Sequence, residues 1–227
     1  MPDGGETVTV KLLASLDEVS AADWDACAGP ENPFVSHTFL KTLEDSSAAC
    51  AETGWLPQHV VIEDSSGGLT GAAPCYLKNH SHGEYVFDWG WADAYERAGG
   101  QYYPKLQVSV PFSPVTGPRL LVRDGEDKSH TRRMLAAGLL ELAKQHEVSS
   151  LHITFTPEDE CEELAEMGLL QRQGQQFHWR NPGFETFEDF LGSLNSRKRK
   201  MIRKEREAAN AAVDIEVLTG DDLTERH

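Results

Sequence analysis

Cysteine, long apolar runs, glycine-rich phosphate loops and, outside one segment, positive charge are all scarce in this chain of 227 residues. The four cysteines, Cys27, Cys50, Cys75 and Cys161, form no CxxC pair and stand at no zinc spacing to a histidine. They read as packed, reduced thiols of a cytoplasmic protein, with no metal site. The nine histidines make no HxxxH or HExxH pattern, and His80 and His82 lie in a polar turn that reads as solvated. No apolar run approaches the ~18–20 residues that span a bilayer. The first six residues, MPDGGE, are acidic and predict no signal peptide. There is no nucleophile elbow and no P-loop, so the usual signatures of serine hydrolases and nucleoside triphosphatases are missing.

Charge is present but uneven. The formal net charge is −16. Residues 197–206 hold seven of the 21 basic residues and one acid, Glu205, which leaves 14 bases against 36 acids elsewhere. An acidic body discourages general nucleic-acid binding, whereas a concentrated basic run points to a localised anion. That run, SRKRKMIRKER from Ser196, belongs to a long helix starting at Thr186. Phe187, Phe190, Leu191, Leu194 and Ile202 form its apolar stripe, with Lys198 four residues before Ile202. Arg199 and Arg203 are one turn apart and can share one phosphate or diphosphate. A solvated charged helix face is the plainer reading.

The densest stretch is 85–119, which carries Phe87, Trp89, Trp91, Phe112 and four of the five tyrosines, together with Asp88, Lys105 and Arg119. A strand-like run at 85–89 leads in, Gly99 and Gly100 break the middle, and Leu106, Val108 and Val110 alternate. Pro111, Pro114 and Pro118 then force an extended path. A long aromatic and charged loop on a rigid scaffold is a common place for a substrate site, with Asp88, Tyr103 and Lys105 as lining residues. The same stretch reads equally as an aromatic cap on a sheet.

Along the rest of the chain, residues 8–14 predict a strand. Ser20 and Ser36 are N-caps of two short helices. Residues 59–63 and 69–78 predict an antiparallel hairpin. A helix over 129–146 and a buried strand over 151–155 follow. A helix then opens with Thr156 as N-cap and Pro157 at its first position. Residues 175–180 and 213–218 alternate as strands, and Asp222 to Glu225 resembles a capping box. The order β-α-α-β-β, loop and strand, then β-α-β-α-β, predicts an α/β (α+β) fold: a mixed, mostly antiparallel sheet flanked by helices. It matches the acyltransferase fold known as GNAT. In that fold a glycine-rich turn before the central helix grips a carrier pyrophosphate. Here that turn, 122–130, has one glycine and three acids, so no cofactor is expected on this lobe in the usual way.

Ser196, Arg199, Ile202, Arg203 and Ala208 fall in a pattern that resembles a helix of the Fem-type peptidyltransferases of peptidoglycan synthesis. More widely, NPFVSHTFL, PCYLK, GEYVFDWGWADAYERAGGQYYPKLQVSVPFSPVTGPRLL, GQQFHW and SRKRKMIRKER resemble the FemAB-like, GNAT-type bacterial acyltransferases. The resemblance covers most of 30–225. It implies two GNAT-like lobes: 1–183 as the first, 184–212 as a basic connecting helix, and 213–227 as the start of a truncated second lobe. Asp222 and its neighbours read equally as a frayed acidic end. The resemblance also implies an acyl or aminoacyl transferase acting on an amine of a phosphorylated cell-wall precursor, with a missing C-terminal lobe as partner. Aminoacyl-tRNA or an acyl-CoA would be the donor, and Arg199 would hold the diphosphate of a nucleotide-sugar substrate. Four residues on, where the family has a tyrosine, this chain has Arg203. The alternative is a non-catalytic lobe that binds tRNA or another polyanion.

Overall fold

The computed structural model describes residues 9–175 and 177–226. Contacts divide the chain into two compact units, 1–172 and 173–227. The first six residues and Val8, on which the signal-peptide and first-strand readings partly rest, lie outside the described residues, as does Gln176.

The first unit begins with β1 (Thr9–Leu13), α1 (Ala21–Ala28) and α2 (His37–Asp45). Ser20 and Ser36 cap the two helices as expected, each accepting from a backbone N–H three residues on. Next come β2 (Trp55–Pro57), β3 (His59–Glu63), β4 (Leu69–Ala73) and β5 (Cys75–Lys78). The expected hairpin is present but bent. Pro74 has no N–H for the ladder, so the second arm breaks into β4 and β5; the first arm forms over 59–63 as expected, and Gln58 separates it from β2. Gln58 N–H still donates to the Cys75 carbonyl at 2.8 Å.

The bend sends the hairpin into two sheets. One has the order β1-β3-β4-β7, with β7 at Leu121–Val122, and is antiparallel throughout. The other has the order β2-β5-β6-β8, with β6 at Lys105–Val108 and β8 at Leu151–Ile153. Its β6–β8 pair is parallel, which requires a crossover, and α4 (Lys128–Gln145) supplies it. Leu135, Ala136, Leu139 and Leu142 of α4 pack on Val60, Ile62, Leu106, Val108 and Leu120, with Leu164 of α5 (Glu158–Glu166) closing the same core. Gly71 and Gly138 allow the close approach of helix and sheet. A Cβ at either would come within 2.7 Å of Thr131 or 2.9 Å of Val10.

Residues 85–97 depart from expectation. No strand forms at 85–89, and α3 (Trp89–Arg97) stands where an irregular loop was expected. Its second half is ordinary helix material, Ala92, Ala94, Glu96 and an Asp93–Arg97 ion pair one turn apart. The aromatic density hid that signal. The α5 helix starts one residue later than expected, with Pro157 as its cap.

The proline-rich path at 111–119 is tied to the end of β8. Arg119 is fully buried and donates to the carbonyls of Thr154 (2.9 Å), Gly117 (2.9 Å), Pro118 (3.1 Å) and Val115. Glu160, also buried, accepts from the backbone N–H groups of Arg119 and Leu120.

The second unit holds α6 (Phe187–Ser193) and α7 (Ser196–Asn210). The single long helix expected from Thr186 is thus two helices. Asn195, in extended backbone, caps α7 by accepting from Lys198 N–H at 2.9 Å, and a cap cannot also sit inside a helix. Trp179, Phe184, Phe187 and Phe190 make an aromatic cluster through edge-on and tilted contacts. The strands expected at 175–180 and 213–218 are not formed among the described residues. Phe177, Val213, Ile215 and Val217 are exposed, because alternation without a pairing strand satisfies no backbone group. The capping box near the end is Thr219 with Asp222, around a single 3-10 turn, instead of Asp222 with Glu225.

Candidate functional site

Strand alternation gives the second sheet two unlike faces. Leu77, Leu106, Val108 and Ile153 point to the core beneath α4. The opposite face carries Trp55, Tyr76, Lys78, Lys105, Gln107 and His152. The register sets Trp55, Lys78 and Lys105 in one row across three strands, and Tyr76, Gln107 and His152 in the next.

Residues 79–104 cover this polar face. The cover is pinned at Gly83, whose φ of +79° and contact with Phe112 exclude a side chain, since a Cβ would lie 2.7 Å from the ring. Phe112 N–H donates to the Gly83 carbonyl at 3.0 Å. From this cover Glu84 and Asp88 reach down to Lys105. Its Nζ donates to Glu84 Oε2 at 2.7 Å and to Asp88 Oδ2 at 2.5 Å, and lies 3.3 Å from His152 Nδ1. Asp88 accepts further from the hydroxyls of Tyr102 and Tyr103, both at 2.8 Å. Lys78, Lys105, Glu84 and Asp88 are all buried, while Tyr103 and His152 are partly buried.

The charges set each other. Burial works against an ionised Asp88, but the Lys105 hydrogen bond and charge, with Tyr103 and Tyr102, hold it down at about 2. Burial raises Glu84 despite Lys105. Burial, reinforced by the Lys105 charge, pushes His152 down to about 4, so it is neutral at pH 7. Burial also pushes Tyr103 up to about 12. The result is an ion cluster with fixed hydrogen bonds beside a neutral imidazole, a preorganised polar surface of the kind that stabilises developing charge.

Of the expected site residues, the structure brings Asp88, Tyr103 and Lys105 into one cluster. It places Lys198, Arg199 and Arg203 on α7 in the second unit. Arg199 is half-buried and closes the end of α6, donating through Nε to Leu191 O at 3.0 Å and through Nη2 to Leu194 O at 3.0 Å and Gly192 O at 3.3 Å. Arg203 pairs with Glu188, and Lys198 is exposed. Lys78, Glu84, Tyr102, Gln107 and His152 were not singled out in the sequence. One signal was available: Lys105, Gln107 and Ser109 alternate with the apolar Leu106, Val108 and Val110, and Tyr76 and Lys78 do the same on β5. At the start of α4, the acidic turn keeps the helix N-terminus for itself, since Asp127 accepts from His130 N–H at 3.0 Å.

Over residues 15–227 the sequence matches the family described as "Peptidogalycan biosysnthesis/recognition". The protein therefore belongs to the FemAB-like family, as its sequence resemblance implied. No curated protein matches the chain. Solved structures similar to it include an acetyltransferase of Trypanosoma brucei, at 12% identity and a TM-score of 0.46 over 77% of this chain and 100% of that one. A ribosomal-protein-alanine N-acetyltransferase of Brucella melitensis biovar Abortus aligns at 16% identity and 0.44, over 77% and 100%. A glucosamine-6-phosphate N-acetyltransferase of Arabidopsis thaliana aligns at 9% identity and 0.42, over 78% and 100%. Among the described residues no helix is long and apolar enough to cross a membrane.

Proposed function

We propose that this protein transfers an acyl or aminoacyl group to an amine on a phosphorylated cell-wall precursor, in the cytoplasm. The observation that carries this reading is the covered polar face, where Lys105, Asp88 and Tyr103 are locked together beside a neutral His152. Acyl transfer from an activated ester needs no covalent nucleophile. It needs an amine aligned with the ester and fixed dipoles where charge develops. A cluster whose members hold one another in place meets the second need without reorganisation. Of the two donors, aminoacyl-tRNA fits better than an acyl-CoA gripped at the start of α4, because Asp124, Glu126 and Asp127 would repel a pyrophosphate there. On α7, Lys198 and Arg203 are exposed cations for a phosphate or nucleotide-sugar group, Arg203 being paired with Glu188, and Arg199 on the same helix closes the end of α6.

The test is amide formation, read by mass spectrometry, with a UDP-linked peptide precursor as acceptor and aminoacyl-tRNA or acyl-CoA as donor. A product that falls at least tenfold with Tyr103→Phe is the expected outcome. The engagement of Arg199 with backbone carbonyls favours a second reading, a non-catalytic polyanion-binding module. Saturable binding of precursor or tRNA with no amide from either donor would replace the first reading by the second.

A further inference from the structure

The segment covering the polar face of the second sheet is packed down at its two ends and fastened by polar contacts between them. At the start, Asn79 and His80 lie so close to Gly54 that a Cβ there would come within 2.3 Å of Asn79 Oδ1, and Gly83 is held against Phe112. At the far end, Ser149 Oγ donates to the Tyr102 carbonyl. Between these anchors, no residue of 84–100 belongs to any of the three apolar clusters of the core. Tyr85, Phe87, Trp89, Trp91 and Tyr95 are exposed, and Phe87 stacks on Trp89 within the segment itself, at 4.9 Å. What holds 84–100 down is Glu84 and Asp88 on Lys105, the Tyr102 and Tyr103 hydroxyls on Asp88, and Arg172 over the exposed Trp91 ring at 4.8 Å.

Closure carries costs. Asp88 occupies the N-cap position of α3, yet its side chain makes no cap hydrogen bond, being spent on Lys105 and the two tyrosines. Tyr85 is held at φ +59°, left-handed backbone that a bulky side chain rarely adopts. Glu84 Oε1, Gln107 Oε1, Ser109 Oγ and the Tyr76 hydroxyl are buried without a partner, so their desolvation is not repaid. We propose that 84–100 is a lid, latched over the polar face by Lys105 and hinged beside the Gly83 anchor and at Gly99–Gly100, where Gly99 has a φ of +87°. It swings away as a body and admits solvent and ligand to the face. On opening, Asp88 is released to cap α3, and water reaches Glu84 Oε1 and the polar side chains beneath. A lid needs few apolar contacts, because its opening must cost less than unfolding. The place of this lid in acyl transfer rests on the function proposed above; the lid itself does not.

The test asks whether the fully buried Lys105 is reached without unfolding the protein. Acetylation by a small N-hydroxysuccinimide ester is followed by peptide mass spectrometry, each rate being taken relative to the same group in the urea-unfolded chain. Cys75, buried beneath α4, is read in parallel with a thiol reagent and reports global unfolding. On this relative scale Lys105 should be labelled at least about a hundredfold faster than Cys75. Its rate should be nearly independent of low urea, because a lid exposes little surface. Asp88→Asn weakens the charge-assisted latch and should speed Lys105 labelling roughly ten- to a hundredfold. Asp93→Asn, in an exposed ion pair of the same helix, should change it by less than about threefold. Ile62→Val, in the core, should speed Cys75 labelling about two- to tenfold and leave Lys105 unchanged, since the open and closed lid keep the same core. If Lys105 is labelled no faster than Cys75, rises with it in Ile62→Val, or ignores Asp88→Asn, the proposal is overturned. Rapid Lys105 labelling without amide formation would retain the lid and remove acyl transfer. Amide formation with Lys105 labelled only on unfolding would do the reverse.

Discussion

Two regions of the first unit bury cations and carboxylates, and they do it differently. Around Arg119, every charged group is spent on backbone: the guanidinium serves four carbonyls, and Glu160 serves two N–H groups. That network fixes the proline-rich path against β8 and α5. On the polar face of the second sheet, Lys105 is equally well bound, but its neighbours keep unpartnered atoms and Lys78 keeps a nearly free amine. A buried charge that satisfies backbone holds a fold together. A buried charge set that is only partly satisfied keeps a desolvation cost, which is what makes this face the candidate site.

The largest effects should be common to both regions. Arg119→Ala strands four carbonyls, and Lys105→Met strands Glu84 and Asp88. Each should lower unfolding free energy by about 3–5 kcal/mol in urea titrations. A loss under 1 kcal/mol for Lys105→Met would mean that the cluster does not hold its cover.

The next effect separates the regions by pH. The folded pKa of Lys78, about 7, lies below its unfolded value of about 10.4. Between those values the unfolded chain binds more protons, so this group makes stability rise with pH, by at most ~1.4 kcal/mol per unit. Lys78→Met should flatten the curve between about pH 7 and about pH 9. Arg119→Met should leave that slope in place, because burial lowers Arg119 only to about 10.

Smaller differences follow from single hydroxyls. Tyr102→Phe removes a hydrogen bond to ionised Asp88 and should cost about 1.5–3 kcal/mol. Tyr76→Phe removes a hydroxyl with no partner and should stay within about 0.5 kcal/mol of wild type. A large loss in Tyr76→Phe would show that its hydroxyl is satisfied and would erase the contrast between the two regions.

In the second unit, Arg199→Ala should destabilise the α6–α7 junction by about 1–2 kcal/mol, read as a lower thermal midpoint, because three carbonyls lose their donor. Lys200→Ala, on an exposed position, should change it by under about 0.5 kcal/mol. Equal effects at the two positions would mean that Arg199 is not a structural cap.

Much of the fold was legible because its signals are local. Ser20 and Ser36 cap where a hydroxyl must meet the first free N–H groups, and α4 repeats its leucines at the helical period. The hairpin was legible as two apolar runs around a glycine turn, but not its division at Pro74 between two sheets, which depends on what packs on either side. Asp88, Tyr103 and Lys105 stood out as polar residues in an aromatic stretch. Lys78 did not, because one lysine ending a strand looks like any solvated edge.

By itself the sequence determined the helices with caps, the paired strands with strong alternation, the acidic body with its basic run, and the family. These depend on neighbours within a few residues or on long matching segments. Only the tertiary structure decided that, among the described residues, 175–180 and 213–218 form no strand, since pairing needs a partner far along the chain. It alone made Arg199 a cap, because its acceptors belong to the preceding helix. And it alone joined Glu84, Asp88, Lys78, Lys105 and His152. Asp88 and His152, 64 positions apart in sequence, come within 3.9 Å when a parallel crossover lays β8 beside β6 and a covering segment turns its carboxylates inward.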